Sequence, residues 1–333
     1  MRVVIIGGSG HTGTYLVPRL VEAGYEVINI TRGKGKPYLP HAAWSAVQQV
    51  ILDREAEDAT GQFGKRIRDL KPDVVIDMVC FTLDSAKQIV MPLRGEIQHF
   101  LHCGSMWVHG YNTTVPSTED QPRRPFGHYP IENPEGVDEY LLTDYGAKKA
   151  AIEAYLLAEA RRTGFPVTCL HPGHIVGPGH YPVTPQGNFN NKVFERLAHG
   201  EELTLPNLGL ETVHHVHGDD VAQAFMNAIK YRSVSLGESF HVVSPAALTL
   251  RGYAEAVAAW FGKEAILKFM GWEMWRKTVS EAEAWATWDH IAHSPNGSSA
   301  KAERLLDYKP RYSSLQAIFE ALEWMIAQHI IQV

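Results

Sequence analysis

The amino terminus constrains the fold more than any other stretch of the chain. A short apolar run, Val3 to Ile6, leads straight into Gly7-Gly8-Ser9-Gly10-His11-Thr12-Gly13, and helical periodicity follows from near Thr14, through Tyr15 to Ala23. An unbroken run of branched residues suits a strand buried on both faces, and such strands belong to parallel sheets covered by helices. A glycine loop between strand and helix lets backbone N–H groups close on an anion, which the positive end of the helix dipole also favours. The spacing is GxxGxxG rather than the commoner GxGxxG, and a tight turn is the bland reading of any glycine loop. Position favours phosphate: Gly7, Gly10 and Gly13, with His11 and Thr12 among them, lie where a pyrophosphate would meet the helix.

The same texture repeats down the chain. Apolar runs recur at Glu26 to Ile30, Val74 to Val79, His99 to Cys103 and Val167 to Leu170, with helical stretches such as Gly61 to Leu70 and Ala147 to Arg162 between them. Strand alternating with helix predicts an α/β fold, a Rossmann doubly wound parallel sheet. Beyond Pro178 a segment rich in Pro, Gly and Asn reads as a loop from Gly179 to Asn191, and Thr212 to His217 and Ser239 to Val243 read as returns to the sheet. The expected division is a dinucleotide-binding domain over 1–175, continued by 213–247, with 176–212 and 248–333 forming a smaller, mostly helical substrate-binding cap. At 333 residues and 45% hydrophobic content, the chain can bury such a core.

Charge and cysteine usage narrow the partners. The net charge is −6 and no block of Lys and Arg occurs, so the electrostatic footprint of a nucleic-acid binder is missing. A small-molecule substrate is the expected partner. No run approaches the roughly 18 apolar residues of a membrane span, and Val3 to Ile6 is too short for a signal core, so a cytoplasmic location is expected. Cys80, Cys103 and Cys169 make no CxxC pair and predict buried thiols rather than disulfides or zinc ligands.

At the end of the second strand, where NAD enzymes usually carry an acid for the ribose hydroxyls, stand Thr31 and Arg32, with Lys34 and Lys36 nearby. This basic set suits a 2′-phosphate, which favours NADP over NAD; the alternative is an ordinary solvated loop. Asp53, after Val50 to Leu52, is a candidate acceptor for the adenine amine. Tyr145 and Lys149 lie four apart at the start of a predicted helix and so share a face. A lone YxxxK is weak, but Ser105, just past the strand His99 to Cys103, strengthens it.

With these motifs in order, the chain resembles an extended short-chain dehydrogenase/reductase of the NAD-dependent epimerase/dehydratase family. The matching residues are the glycines from Gly7 to Gly13, Ser105 before Val108-His109-Gly110, Tyr145 with Lys149, and His171 to Pro178. His217 to Ala222 and the ending Ser299 to Pro310 also match, so the resemblance covers essentially the whole chain. It implies that Tyr145 is the general acid/base, that Ser105 bonds the reacting oxygen, and that Lys149 holds the nicotinamide ribose. It also implies that Val79, Cys80 and Pro172 adjoin the cofactor, that Trp107 and His174 face the substrate, and that the protein is a homodimer.

The pattern departs from the family at two points. Relatives acting on nucleotide sugars carry an Arg and an Asn where this chain has His171 and His174, and an Arg where it has Val213. Losing cationic donors argues against a diphosphate ligand, although Arg232, Arg251 or Arg276 are candidate replacements. The expectation is therefore an NAD(P)-dependent oxidoreductase or epimerase working on a carbinol or carbonyl of a small, sugar-like molecule. The rivals are a nucleotide-sugar epimerase or dehydratase with tightly held NAD, and a catalytically silent relative that binds RNA or protein. The interval between Ser105 and Tyr145 is longer than the family expects, and its extra material, Gln121 to Tyr140, reads either as a lid or as an inert loop. His214, His215 and His217 invite a metal reading, but no ligand partner stands at a recognised spacing, so substrate-facing or structural roles and no metal are expected. Trp272, Trp275, Trp285 and Trp288 fall at helical intervals and read mainly as cap core.

Overall fold

The computed structural model describes residues 1–123 and 145–333. Six strands of the central sheet are β1 (Arg2–Ile6), β2 (Glu26–Thr31), β3 (Gln48–Ile51), β4 (Val74–Asp77), β5 (His99–Cys103) and β6 (Val167–Pro172). Glu238–Val242 adds a seventh beside β6, and the spatial order runs Glu238–Val242, β6, β5, β4, β1, β2, β3, all parallel. The order reverses between β1 and β4, the switch point at which open α/β sheets bind ligands beyond their carboxyl ends.

Alternation along β1 explains the two layers. Val3 and Ile5 point to one face, where α1 (His11–Glu22) lays Leu16, Val17 and Leu20 beside Val221, Phe225 and Ala228 of the helix Gly218–Lys230. Val4 and Ile6 point to the other, against Phe63 and Ile67 of α3 (Phe63–Asp69), Ile89 and Val90 of α4 (Leu83–Leu93), and Ile152 and Leu156 of α5 (Tyr145–Thr163). The preceding short helix, α2 (Arg54–Ala59), joins β3 to this layer. Each fully buried aliphatic side chain contributes roughly 1.5–3 kcal/mol, so burial on both faces fixes these strands in the interior. Ala302, Leu306 and Tyr308, far along the chain, join the α1 layer.

A second core gathers Phe194, Leu197, Leu205, Val213, Tyr253, Val257, Trp272, Trp275, Ile318 and Leu322, largely from helices of the carboxyl-terminal half. One expectation needs correcting. Thr212 to His217 does not rejoin the main sheet: Thr212–Val213 pairs antiparallel with Leu248–Thr249, and His215–His217 pairs parallel with His174–Val176. The break falls at His214, whose ring accepts from the Gly297 N–H through Nδ1 and bonds the Ser244 carbonyl through Nε2. No helix among the described residues is long and apolar enough to cross a membrane.

Candidate active site

The strand ends supply the site in sequence order. Gly7 follows β1, Met78 and Val79 follow β4, Gly104 and Ser105 follow β5, and Gly173 follows β6; all of them line one cavity of about 530 Å³. Gly10, His11, Thr12, Gly13, Tyr145, Lys149, Pro172 and His174 line it too, as do Trp107, Phe189, Asp289 and His290, which contact one another.

The glycine loop meets the requirements of a phosphate cradle. A Cβ on Gly13 would lie 1.9 Å from the Gly8 carbonyl oxygen, so only glycine lets the first turn of α1 close on the loop. Gly10 stands at the helix N-cap with no side-chain cap and no acid in the first turn, leaving amide donors directed outward. Asn29 in the middle of β2, fully buried, accepts from the Gly8 N–H at 3.0 Å and donates to Ser9 Oγ and Gln49 Oε1. Its carboxamide ties the loop to two strands. Arg54 clamps buried Asp77 through both carboxylate oxygens, at 2.7 and 2.9 Å, and Asp77 accepts from the Val79 N–H, which shapes the next wall.

Lys149 is buried, and its Nζ donates to the Cys80 and Cys103 carbonyls at 2.8 and 2.9 Å. An ammonium has three protons, so one donor remains for the cavity it lines. Nζ stands 5.8 Å from the centre of the half-exposed Tyr145 ring and 4.8 Å from that of Phe81. Ser105 caps a short 3₁₀ turn, Met106–His109, and its Oγ accepts from the Trp107 N–H, leaving its own proton to donate. Its backbone N–H donates to His171 Nδ1 at 3.1 Å. The other ring nitrogen, Nε2, faces Glu153 Oε1 at 2.9 Å and donates to it. A Cβ on Gly104 would meet His171 Nδ1 at 2.2 Å, so the glycine before the serine makes room for this ring.

The predicted site residues thus divide. Gly7, Gly10, His11, Thr12, Gly13, Val79, Ser105, Trp107, Tyr145, Lys149, Pro172 and His174 line the cavity. Cys80 contributes its carbonyl to Lys149, while burial, and Asp77 nearby, push its thiol up to about 12. Arg32 is exposed just past β2, outside the cavity wall, and Asp53 caps α2 by accepting from Glu55 and Ala56. Of the tempting histidines none lines the cavity: His217 caps the helix after it through Asp219 N, and His215 packs on Tyr253. Among the described residues no group of histidine, cysteine or acid side chains forms a metal-binding cluster. Trp272 and Trp275 are buried in the second core. Most of Gln121 to Tyr140 lies outside the described residues.

Sequence reasoning missed His180, Phe189, Asp289 and His290, which come from loops and a helix with no motif of their own. It also missed Asn29, Asp77 and Glu153. Asn29 and Asp77 each carried a signal, a polar residue inside an apolar run; Glu153 carried none.

A family model, the NAD dependent epimerase/dehydratase family, matches residues 3–242. The chain is 24% identical over 263 residues to a chloroplast stem-loop binding protein of 41 kDa from Arabidopsis thaliana, covering 77% of this chain and 62% of that one. It is 30% identical over 158 residues to a 2′-dehydrokanamycin reductase from Streptomyces kanamyceticus, covering 44% and 43%. The chain thus spans less than two thirds of either relative. Among solved structures, a UDP-glucose 4-epimerase with UDP-glucose from Thermotoga maritima superposes with a TM-score of 0.72 at 19% identity, over 99% of this chain and all of that one.

Proposed function

Because this chain belongs to the NAD dependent epimerase/dehydratase family, we propose that it is an NAD(P)-dependent oxidoreductase or epimerase acting on a carbinol or carbonyl of a small, sugar-like substrate. The observation that carries the reading is that Ser105, Tyr145 and Lys149 line the same cavity as the glycine loop. Gly7, Gly10 and Gly13 would hold the pyrophosphate, and the remaining Lys149 donor would hold a ribose hydroxyl. A nicotinamide held there would supply hydride chemistry at the substrate carbon. Tyr145 Oη carries the hydroxyl proton, with the Lys149 charge beside its ring. Ser105 Oγ donates to the reacting oxygen and orients it. The cap segments 176–212 and 248–333 complete the substrate end in a cytoplasmic homodimer.

Thr31 and Arg32 at the tip of β2 support NADP over NAD, because no acid there opposes a 2′-phosphate. A nucleotide-sugar enzyme with tightly held NAD is the nearest rival, and it predicts stoichiometric nicotinamide in the purified protein, whereas this reading predicts dependence on added NADPH. Likeness to the stem-loop binding protein favours a second rival, an RNA binder without catalysis. The net charge of −6 and the intact Ser105, Tyr145 and Lys149 set weigh against it. The test is Tyr145→Phe: turnover falls by about 10²–10⁴-fold while nucleotide affinity stays within a few-fold. Unchanged turnover of the true substrate removes Tyr145 as the proton carrier.

A further inference from the structure

We propose that the substrate end of the cavity takes a sugar or cyclitol bearing a protonated amine, held by the Asp289 carboxylate, and rejects nucleoside diphosphates. This inference rests on the reading of the cavity as a nicotinamide-dependent active site.

The charge of the walls carries it. Among the described residues lining the cavity, Lys149 is the one lysine or arginine, and two of its three protons are held by backbone carbonyls. The arginines that could have stood in for a diphosphate clamp are engaged elsewhere: Arg232 on the Gln98 carbonyl, Arg251 with Glu255 and Arg276 with Glu273. None lines the cavity. The imidazoles offer no charge either. Burial, with His180 beside it, pushes His11 down to about 3, and burial also pushes His174, His180 and His290 below the ordinary histidine range. A diphosphate would bring its charges to a wall with no guanidinium fork and with a carboxylate already present.

Asp289 is placed for a cation. Its Oδ2 accepts the Trp107 indole N–H at 3.0 Å, and Oδ1 lies 3.4 Å from His293 Nδ1, whose shorter contact, 2.6 Å, is to the Asp289 main-chain oxygen. Trp107 also donates its backbone N–H to Ser105 Oγ, so one residue joins the carboxylate to the turn that orients the reacting oxygen. Phe189, half-exposed and lining the cavity beside His174 and His290, offers the face on which an ammonium rests well. Neutral imidazoles around it suit hydroxyl groups as donors and acceptors.

The test titrates the full chain, loaded with NADP⁺ at neutral pH, with glucosamine, glucose and UDP-glucose, and measures NADP⁺ affinity alongside. Glucosamine binds about tenfold or more tightly than glucose, the factor one charge-assisted bond supplies, and UDP-glucose binds more weakly than either. Asp289→Asn keeps an acceptor for the Trp107 indole and lowers glucosamine to the level of glucose, and Asp289→Glu recovers part of the difference. UDP-glucose binding more tightly than glucosamine, equal binding or no binding of the two sugars, or a preference that survives Asp289→Asn overturns the proposal. A chain that takes up no nicotinamide nucleotide fails the underlying reading instead, which the NADP⁺ titration reports separately.

Discussion

Ser105 is held by a chain of buried groups that ends far from the cavity. His171 accepts its N–H, Glu153 accepts from His171 and Ser239, and Arg123 grips Glu153 with two nitrogens. Burial raises the Glu153 pKa, but His171 and Arg123 outweigh it and hold the carboxyl well below its usual range. Glu153→Gln leaves the part-buried Arg123 facing a neutral amide and costs about 1–3 kcal/mol, less than for a fully buried pair, read as a lower urea midpoint. If the chain positions the serine, kcat falls more than KM rises; an unchanged kcat reduces Glu153 to a purely structural part. Spacing and the family resemblance singled out Ser105, Tyr145 and Lys149, and all three line the cavity. The role of His171 was not legible, because its alignment with a substrate-binding position hid a ring that turns away from the cavity and supports the serine from behind.

At the scale of elements, β1 and β5 were readable almost to the residue because an apolar run buried on both faces has few other fates. The Thr212 to His217 run was readable as extended backbone but not as two strands with different partners. Its split depends on the His214 bonds to Ser244 and Gly297, which lie 30 and 83 residues on. The glycine loop with β2 behind it gives two predictions. Gly13→Ala forces a carbon into the Gly8 carbonyl and abolishes dinucleotide binding, checked by titration of nicotinamide fluorescence. Arg32→Ala, on exposed backbone just past β2, weakens NADPH about tenfold or more and NADH little, as loss of one charged contact to a 2′-phosphate requires. Equal losses for both nucleotides exclude Arg32 as the selector.

At the scale of the molecule, several histidines among the described residues are buried. Burial is the first cause for His11, His99 and His215, pushed down to about 3, and for His109 and His214, pushed down to about 4. The unfolded chain takes up protons near 6.5 that the folded chain refuses, so stability is full above that pH and falls as pH drops through 6.5 toward 3–4. The loss is about 2 kcal/mol for each such histidine at about pH 5, a large share of the usual 5–15 kcal/mol. Urea unfolding at about pH 7.5 and about pH 5 checks this, and equal midpoints contradict it. The histidine count was visible in the sequence, but which rings would be sealed was not, since the second core and the cavity walls join segments far apart along the chain.

The central claim is that one cavity brings a dinucleotide to Tyr145 and Lys149. A crystal structure with NADP⁺ bound tests it most directly. The account predicts the pyrophosphate against Gly7 to Gly13, the 2′-phosphate near Arg32, and the nicotinamide ring beside Tyr145, with its ribose on Lys149. A dinucleotide seated elsewhere, or a nicotinamide ring turned away from Tyr145, would contradict it.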